Sequence, residues 1–369
     1  MNGRNGWIIW GSVWAAILLP GLSLAAVTGL CSDCHTMHDS QQGSLVAFTR
    51  DSTGQSVFTE VPFKKLLKTD CVGCHSDAGN ETILIQGERQ TPVVLNLVEP
   101  TYPPDGSSSA TLAGGNFYWA AQVGDEYGHN VYGISEQDFR LGGGVLAPGG
   151  TPGTVDACAG CHRSLATAET GCNGCHVVQH HAVGPNQVST AEEGWYRFLG
   201  AVMERGDGSE VPPDGVTGIE DPSWEQNPLS SRHNTYQGAS SPYGSYLNTR
   251  SISQKCTGCH GLFHGNTTAN STWIRHPVDV VIPNTPEFSG LTDYNPLVPV
   301  ARRNVAGNDA NSPFITLGSD VVSCISCHRA HGSPYPAMLR WGYRAWPGDD
   351  PYTGGPAFNG CAVCHTSKS

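Results

Sequence analysis

Charged residues are scarce in this chain. Only 14% of its 369 residues are Asp, Glu, Lys or Arg, and acids outnumber bases by 32 to 20, for a formal charge of −12. It therefore lacks the basic surface that nucleic acid or an anionic membrane would need, and neither is an expected partner. Spare cysteine is absent too. All 14 cysteines fall inside C-x-x-C-H boxes, which leaves none for a disulfide or a free thiol. No fixed repeat period is present either. Successive first cysteines lie 40, 87, 14, 84, 68 and 37 residues apart, which excludes a solenoid or tandem array. What is plentiful is glycine, at 46, and proline, at 25, a composition that limits regular secondary structure.

The seven boxes are Cys31/Cys34/His35, Cys71/Cys74/His75, Cys158/Cys161/His162, Cys172/Cys175/His176, Cys256/Cys259/His260, Cys324/Cys327/His328 and Cys361/Cys364/His365. This pattern reads as covalent c-type haem attachment. Two thiols three positions apart reach the two vinyl groups on one porphyrin edge, and the adjacent histidine supplies the first axial nitrogen to the iron. A thioredoxin-like pair needs one C-x-x-C and no following histidine. Zinc sites would pair boxes into four-ligand sets, and an odd number does not pair. Seven covalent haem c groups are expected, with the haems supplying the core that side chains do not. Their propionates make the particle more acidic still.

Eight histidines lie outside the boxes: His38, His129, His180, His181, His233, His264, His276 and His331. Seven bis-histidine irons need seven of them. The expected distal ligands are His38, His129, His180, His233, His264, His276 and His331, with His181 spare and able to serve an adjacent copy. His38 and His331 follow a box histidine by three residues, His180 and His264 by four. Positions so spaced share a helix face, on the wrong side of the ring to bind the same iron, so each is expected to bind the next haem. Met37, Met203 and Met338 are alternative ligands that the histidine count makes unnecessary. Bis-histidine ligation implies lower potentials than His/Met.

Residues 1–25 read as a signal peptide. Arg4 precedes an apolar stretch broken at Pro20-Gly21, with cleavage expected after Ala25. Export agrees with haem attachment outside the cytoplasm and places the protein in the periplasm or on the outer cell surface. Residues 26–369 are expected to form one haem-cored unit, with sub-regions 26–150, 151–250 and 251–369. The expected fold is mostly irregular and coil-rich, with short helices following the boxes and few short β-strands. The strand candidates are 82–85, 93–98 and 278–282. Residues 163–171 can form a short helix between the third and fourth boxes. Phe117, Tyr118 and Trp119 are expected to pack against haem faces. Arg302 and Arg303 are either propionate partners or a solvated pair.

Seven haems spread through a sphere of about 26 Å radius, the size scaling for such a chain, would sit roughly 22 Å apart centre to centre. Pairing brings them closer, near enough for electrons to hop. The expected role is electron carrier, not enzyme. The rival is an oxidoreductase acting on small nitrogen compounds at an open haem. Some such enzymes place lysine where the box histidine stands, and no box here does. A third reading adds assembly into conducting filaments.

Cys256-Thr257-Gly258-Cys259-His260, His276-Pro277-Val278 and Cys324-Ile325-Ser326-Cys327-His328-Arg329-Ala330-His331-Gly332 resemble the doubled C-x-x-C-H cytochrome family. The resemblance implies axial roles for His276 and His331. The segments 112–119 and 128–131, and the opening 31–38, are similar to multihaem cytochromes of metal-reducing bacteria, which supports His129 as a ligand. The resemblance implies respiratory electron export. Expected partners are other redox proteins or extracellular acceptors such as metal oxides, with a homo-oligomer or filament as a further form. A pyridine haemochrome assay combined with intact mass should return seven haems per mature chain. Six or fewer in fully matured protein would refute the count.

Overall fold

The structure is a computed structural model. It describes residues 31–50, 56–60, 63, 66–86, 89–102, 111–131, 134–135, 158, 161–162, 187–188, 196–199, 215–221, 223–239, 250–264, 276–305, 312–343 and 358–367. Short elements joined by long irregular connections make up these segments, in line with the coil-rich expectation. The described α-helices are α1 (Cys31–Cys34), α2 (Cys71–Cys74), α3 (Tyr118–Gln122), α4 (Ile252–His264), α5 (Cys324–Cys327) and α6 (Gly360–Cys364). Five of these six contain haem boxes, so the helical turn is the box itself. In α1, α2, α5 and α6 it ends with the second cysteine; only α4 continues past its box histidine. This corrects the expectation that helices follow the boxes.

Local sequence explains why such short turns hold. The Asp70 side chain caps α2 by accepting from Gly73 N at 2.8 Å. Asn359 does the same for α6 through Cys361 N at 3.1 Å, and Ser323 and Ser326 form a reciprocal capping box on α5. Each satisfies an amide that a one-turn helix leaves without a partner.

The strands are equally brief. Ile83–Gln86 and Arg89–Pro92 form an antiparallel hairpin, and Val280–Val281 pairs with Val321–Val322. The 93–98 candidate contracts to Leu95–Asn96, which pairs in parallel with Ser76–Asp77. Gln187–Val188, Gly218–Ile219 and Thr235–Tyr236 form a three-stranded sheet. Glycine and proline around these runs leave no length for wider sheets.

Among the described residues the buried apolar side chains form three small clusters. One joins Ile282, Leu291, Tyr294, Val298, Val300, Trp341, Phe358 and Val363, with Cys327 of the sixth box and both cysteines of the seventh against it. A second centres on Tyr196, Val216, Tyr236, Ile252, Ala301, Val321 and Ile325. The third holds Val72, Leu95, Phe117, Val131 and Ile134, with Cys158 against it. Buried polar pairs stitch them together. Arg302 forms an ion pair with Asp320, the side chains 3% and 5% exposed, and donates to Ser312 O and Phe314 O at 2.9 and 3.0 Å. Arg302 is therefore not the solvated cation that one of its two expected roles required, because it is buried and paired with Asp320. Replacing Asp320 with Ala strands that cation in the interior, and chemical denaturation of the variant should show a loss of about 3–5 kcal/mol.

Candidate haem sites

In four of the boxes a backbone hydrogen bond ties the histidine to the first cysteine. The histidine amide donates to the first cysteine carbonyl at 2.9 Å for His75, 2.8 Å for His162, 3.1 Å for His328 and 2.9 Å for His365. One turn puts the two cysteines, three apart, on the same face. The thiols can then meet one porphyrin edge while the imidazole projects beneath it. Among the described residues, no group of three or more His, Cys, Asp or Glu converges as a direct metal site.

The imidazoles are oriented by their second nitrogen. Nδ1 bonds a backbone carbonyl in His75 (Pro92, 2.7 Å), His129 (Ala330, 2.6 Å), His162 (Arg197, 3.0 Å), His233 (Asn234, 2.7 Å), His276 (Pro277, 2.9 Å) and His328 (Ala337, 2.8 Å). In His365 it bonds the Glu287 carboxylate at 2.6 Å. An oxygen acceptor requires the proton on Nδ1, which leaves the Nε2 lone pair for a metal. Burial also lowers the pKa of His75, His129, His260, His276 and His328. It takes His162 down to about 4 and His331 to about 3. The neutral form that results is the one that binds metal.

These rings meet in pairs. The ring centroids of His129 and His260 are 6.1 Å apart, those of His162 and His331 6.2 Å, and those of His276 and His365 6.2 Å. Two imidazoles on one metal, each with a metal–nitrogen bond of about 2 Å, hold their centroids about 6.3 Å apart. Each pair joins a box histidine to one outside the boxes. His331, three residues after the sixth box, faces the third box and not its own. The centroid spacing fits an iron porphyrin between the partners of each pair.

Glycine makes this convergence possible. His331 N donates to Gly114 O at 2.7 Å, Asn116 N to Gly332 O at 3.1 Å, and Ser333 N to Tyr127 O at 3.0 Å. A Cβ on Gly332 would come within 2.6 Å of Asn116 O, and one on Gly128 within 2.6 Å of His331 O. Gly115 has φ +83° as well as close backbone contact, a left-handed conformation that side chains resist. Arg329 clamps the same junction, donating to Leu112 O and Ala113 O at 2.8 and 3.0 Å and to Tyr102 Oη at 2.8 Å. Phe117 stacks on His331 with centroids 4.7 Å apart. Trp119 lies deep in the fold, edge-on to Tyr102.

The boxes also touch one another. The Cys158 thiol is held well above its usual pKa by a hydrogen bond with Cys71 and then by burial, and Cys256 by a hydrogen bond with Cys324 and then by burial. Burial takes Cys327 and Cys364 up to about 12, and each feels a neighbouring box thiol, Cys364 for Cys327 and Cys361 for Cys364.

Other sequence candidates sit elsewhere. His233 is 1% exposed and stacks on Tyr294, centroids 3.6 Å apart. Its Nε2 is buried and has no hydrogen-bond partner. His38 is exposed, beside the 78%-exposed Met37. The whole fourth box, Cys172, Cys175 and His176, lies outside the described residues, so the haem expected on Cys172 and Cys175 has no described geometry. His180, His181, Met203 and the 163–171 linker also lie outside them, as do the side chains of Cys31, Cys259 and His264. Sequence reasoning missed Glu287, Arg329 and Tyr102. No local signal marks them, since their partners are 78 to 227 residues away.

A protein-family model described as the doubled CXXCH motif matches residues 319–369. The C-type cytochrome OmcS of Geobacter sulfurreducens is 24% identical over 374 residues, covering 84% of this chain and 78% of that protein. Two solved structures also align. The "Outer Membrane Cytochrome S Filament from Geobacter Sulfurreducens" has TM-score 0.44 at 18% identity, and the OmcS nanowires from the same organism have 0.43 at 19%; each alignment covers 94% of this chain and 100% of the other. Residues 319–369 are thus a doubled CXXCH segment, and the chain as a whole is similar to a c-type cytochrome.

Proposed function

We propose that the exported chain carries seven covalent haems and passes electrons along a row of bis-histidine irons. The observation that carries this reading is the set of three imidazole pairs at 6.1–6.2 Å. Each bound haem supplies a one-electron ferric/ferrous couple. The protein's part is to anchor, orient and seal. Cysteines hold each ring edge, and paired imidazoles close both axial faces so that no substrate reaches the iron. His129 and His260, His162 and His331, and His276 and His365 would each share one iron.

Four boxes then remain, at His35, His75, His176 and His328. The expected distal histidines left for them are His38, His180, His233 and His264, with His181 spare. The thiol contacts support a row in which the second box adjoins the third, the fifth adjoins the sixth, and the sixth the seventh. Cys161 also lies near enough to influence Cys256, which links the third box to the fifth.

Redox proteins at one end and an extracellular acceptor such as a metal oxide at the other suit this arrangement, as does a periplasmic or outer-surface location. Assembly of copies is a second reading. The similar OmcS is solved as a filament, and Met37, Leu45, Val57, Phe58 and Leu66, all within residues 37–66, are exposed large apolar side chains. Contact between copies would cover them.

His129→Ala, His331→Ala and His276→Ala should each open one iron, adding a high-spin ferric signal to the electron paramagnetic resonance spectrum and shifting one component of the redox titration. So should His233→Phe, at a fourth iron. A wholly low-spin spectrum in His331→Ala would remove that pair, and a high-spin signal in the wild type would favour a catalytic haem.

A further inference from the structure

Among the four box histidines whose Nδ1 contact is described, one is held differently from the other three. The Nδ1 partners of His75, His162 and His328 are neutral backbone carbonyls. His365 Nδ1 instead meets a carboxylate oxygen of Glu287 at 2.6 Å, from a residue 78 positions upstream. The contact is built, not incidental. Glu287 sits in the 3₁₀ turn Pro286–Phe288. Its carbonyl accepts from Thr366 Oγ1 at 3.0 Å and from Ser367 N at 3.3 Å, and Thr366 Oγ1 accepts in turn from Gly290 N at 3.0 Å. The ring of Phe288 lies 5.1 Å from that of His365. The turn is therefore tied to the segment just after the seventh box, and the carboxylate is aimed at the ligand's back nitrogen. On the opposite side of the same pair, His276 bonds only the carbonyl of Pro277.

A carboxylate draws the Nδ1 proton more strongly than an amide carbonyl does. The imidazole becomes a stronger donor, and a negative charge near the metal favours the ferric over the ferrous state. We propose that Glu287 lowers the reduction potential of the haem at Cys361–Cys364 below that of the haems whose box histidines bond carbonyls. This rests on the bis-histidine reading above. Electrons arriving at the seventh box then run energetically downhill toward the sixth, whose Cys327 it neighbours.

Glu287→Gln keeps an acceptor oxygen but removes the charge. In a spectroelectrochemical titration of the intact protein, one component should move to higher potential while the rest hold, and one low-spin resonance should shift its g-values. Thr366→Ala loosens the turn but leaves the carboxylate, and should move that component less than Glu287→Gln does. Superimposable titrations of wild type and Glu287→Gln would overturn the proposal. So would a Thr366→Ala shift as large as that of Glu287→Gln, because loosening and not charge would then be the cause. Intact mass of the same samples separates the two readings. A full haem complement with an unmoved titration rejects the Glu287 role alone, whereas missing porphyrin mass in the wild type rejects the haem reading beneath it.

Discussion

Imidazole pairs facing each other across about 6 Å are the constraint around which this protein is organised. The pairing requires each ring to present Nε2, and at five histidines a carbonyl from irregular backbone engages Nδ1 from behind. A regular helix or sheet has few carbonyls to lend, because its own ladder uses them. Coil supplies them in quantity. The glycine- and proline-rich composition is thus a structural requirement of the sites as well as a limit on secondary structure.

The same constraint shapes the packing. The apolar clusters are small and lie against box cysteines: Cys158 in one, Cys327, Cys361 and Cys364 in another. These two clusters thus brace the cysteine turns from the side. Between them lies a polar framework. Arg302 is spent on Asp320 and two carbonyls. Arg197 bonds Glu220, Asp221 O and Asn234. Buried polar groups of this kind are stable only when their partners are in place, so the framework specifies one arrangement of the connections. His233 belongs to it: its Nδ1 is tied to Asn234 O and its face lies against Tyr294.

Neutral and charged acceptors behind otherwise similar histidines provide chemical variety within a uniform motif. A carbonyl fixes orientation, whereas a carboxylate fixes orientation and also adds charge. The chain uses the first at most described histidines and the second at His365.

The seven boxes and the coil-rich architecture were legible in the sequence because each is local, whereas the placing of the helical turn on the box itself, and not after it, came from the structure. Three residues of spacing decide the box, and Asp70, Ser323 and Asn359 mark its caps. The strand candidates 82–85 and 278–282 were also close, since β-branched runs carry their own signal. Partnership was not legible. His331 faces His162, and His129 is fixed by Ala330, 201 residues away. No spacing rule reaches across such distances. Counting histidines set how many ligands were available but could not show which rings lie together. Nor could it reveal that Arg302 is paired with Asp320 or that Glu287 stands behind His365. The sequence by itself determined the seven cysteine turns and the chemistry that such turns can take up. Only the tertiary structure decided which imidazoles face each other and what stands behind them, because both depend on segments that are neighbours in space and remote along the chain.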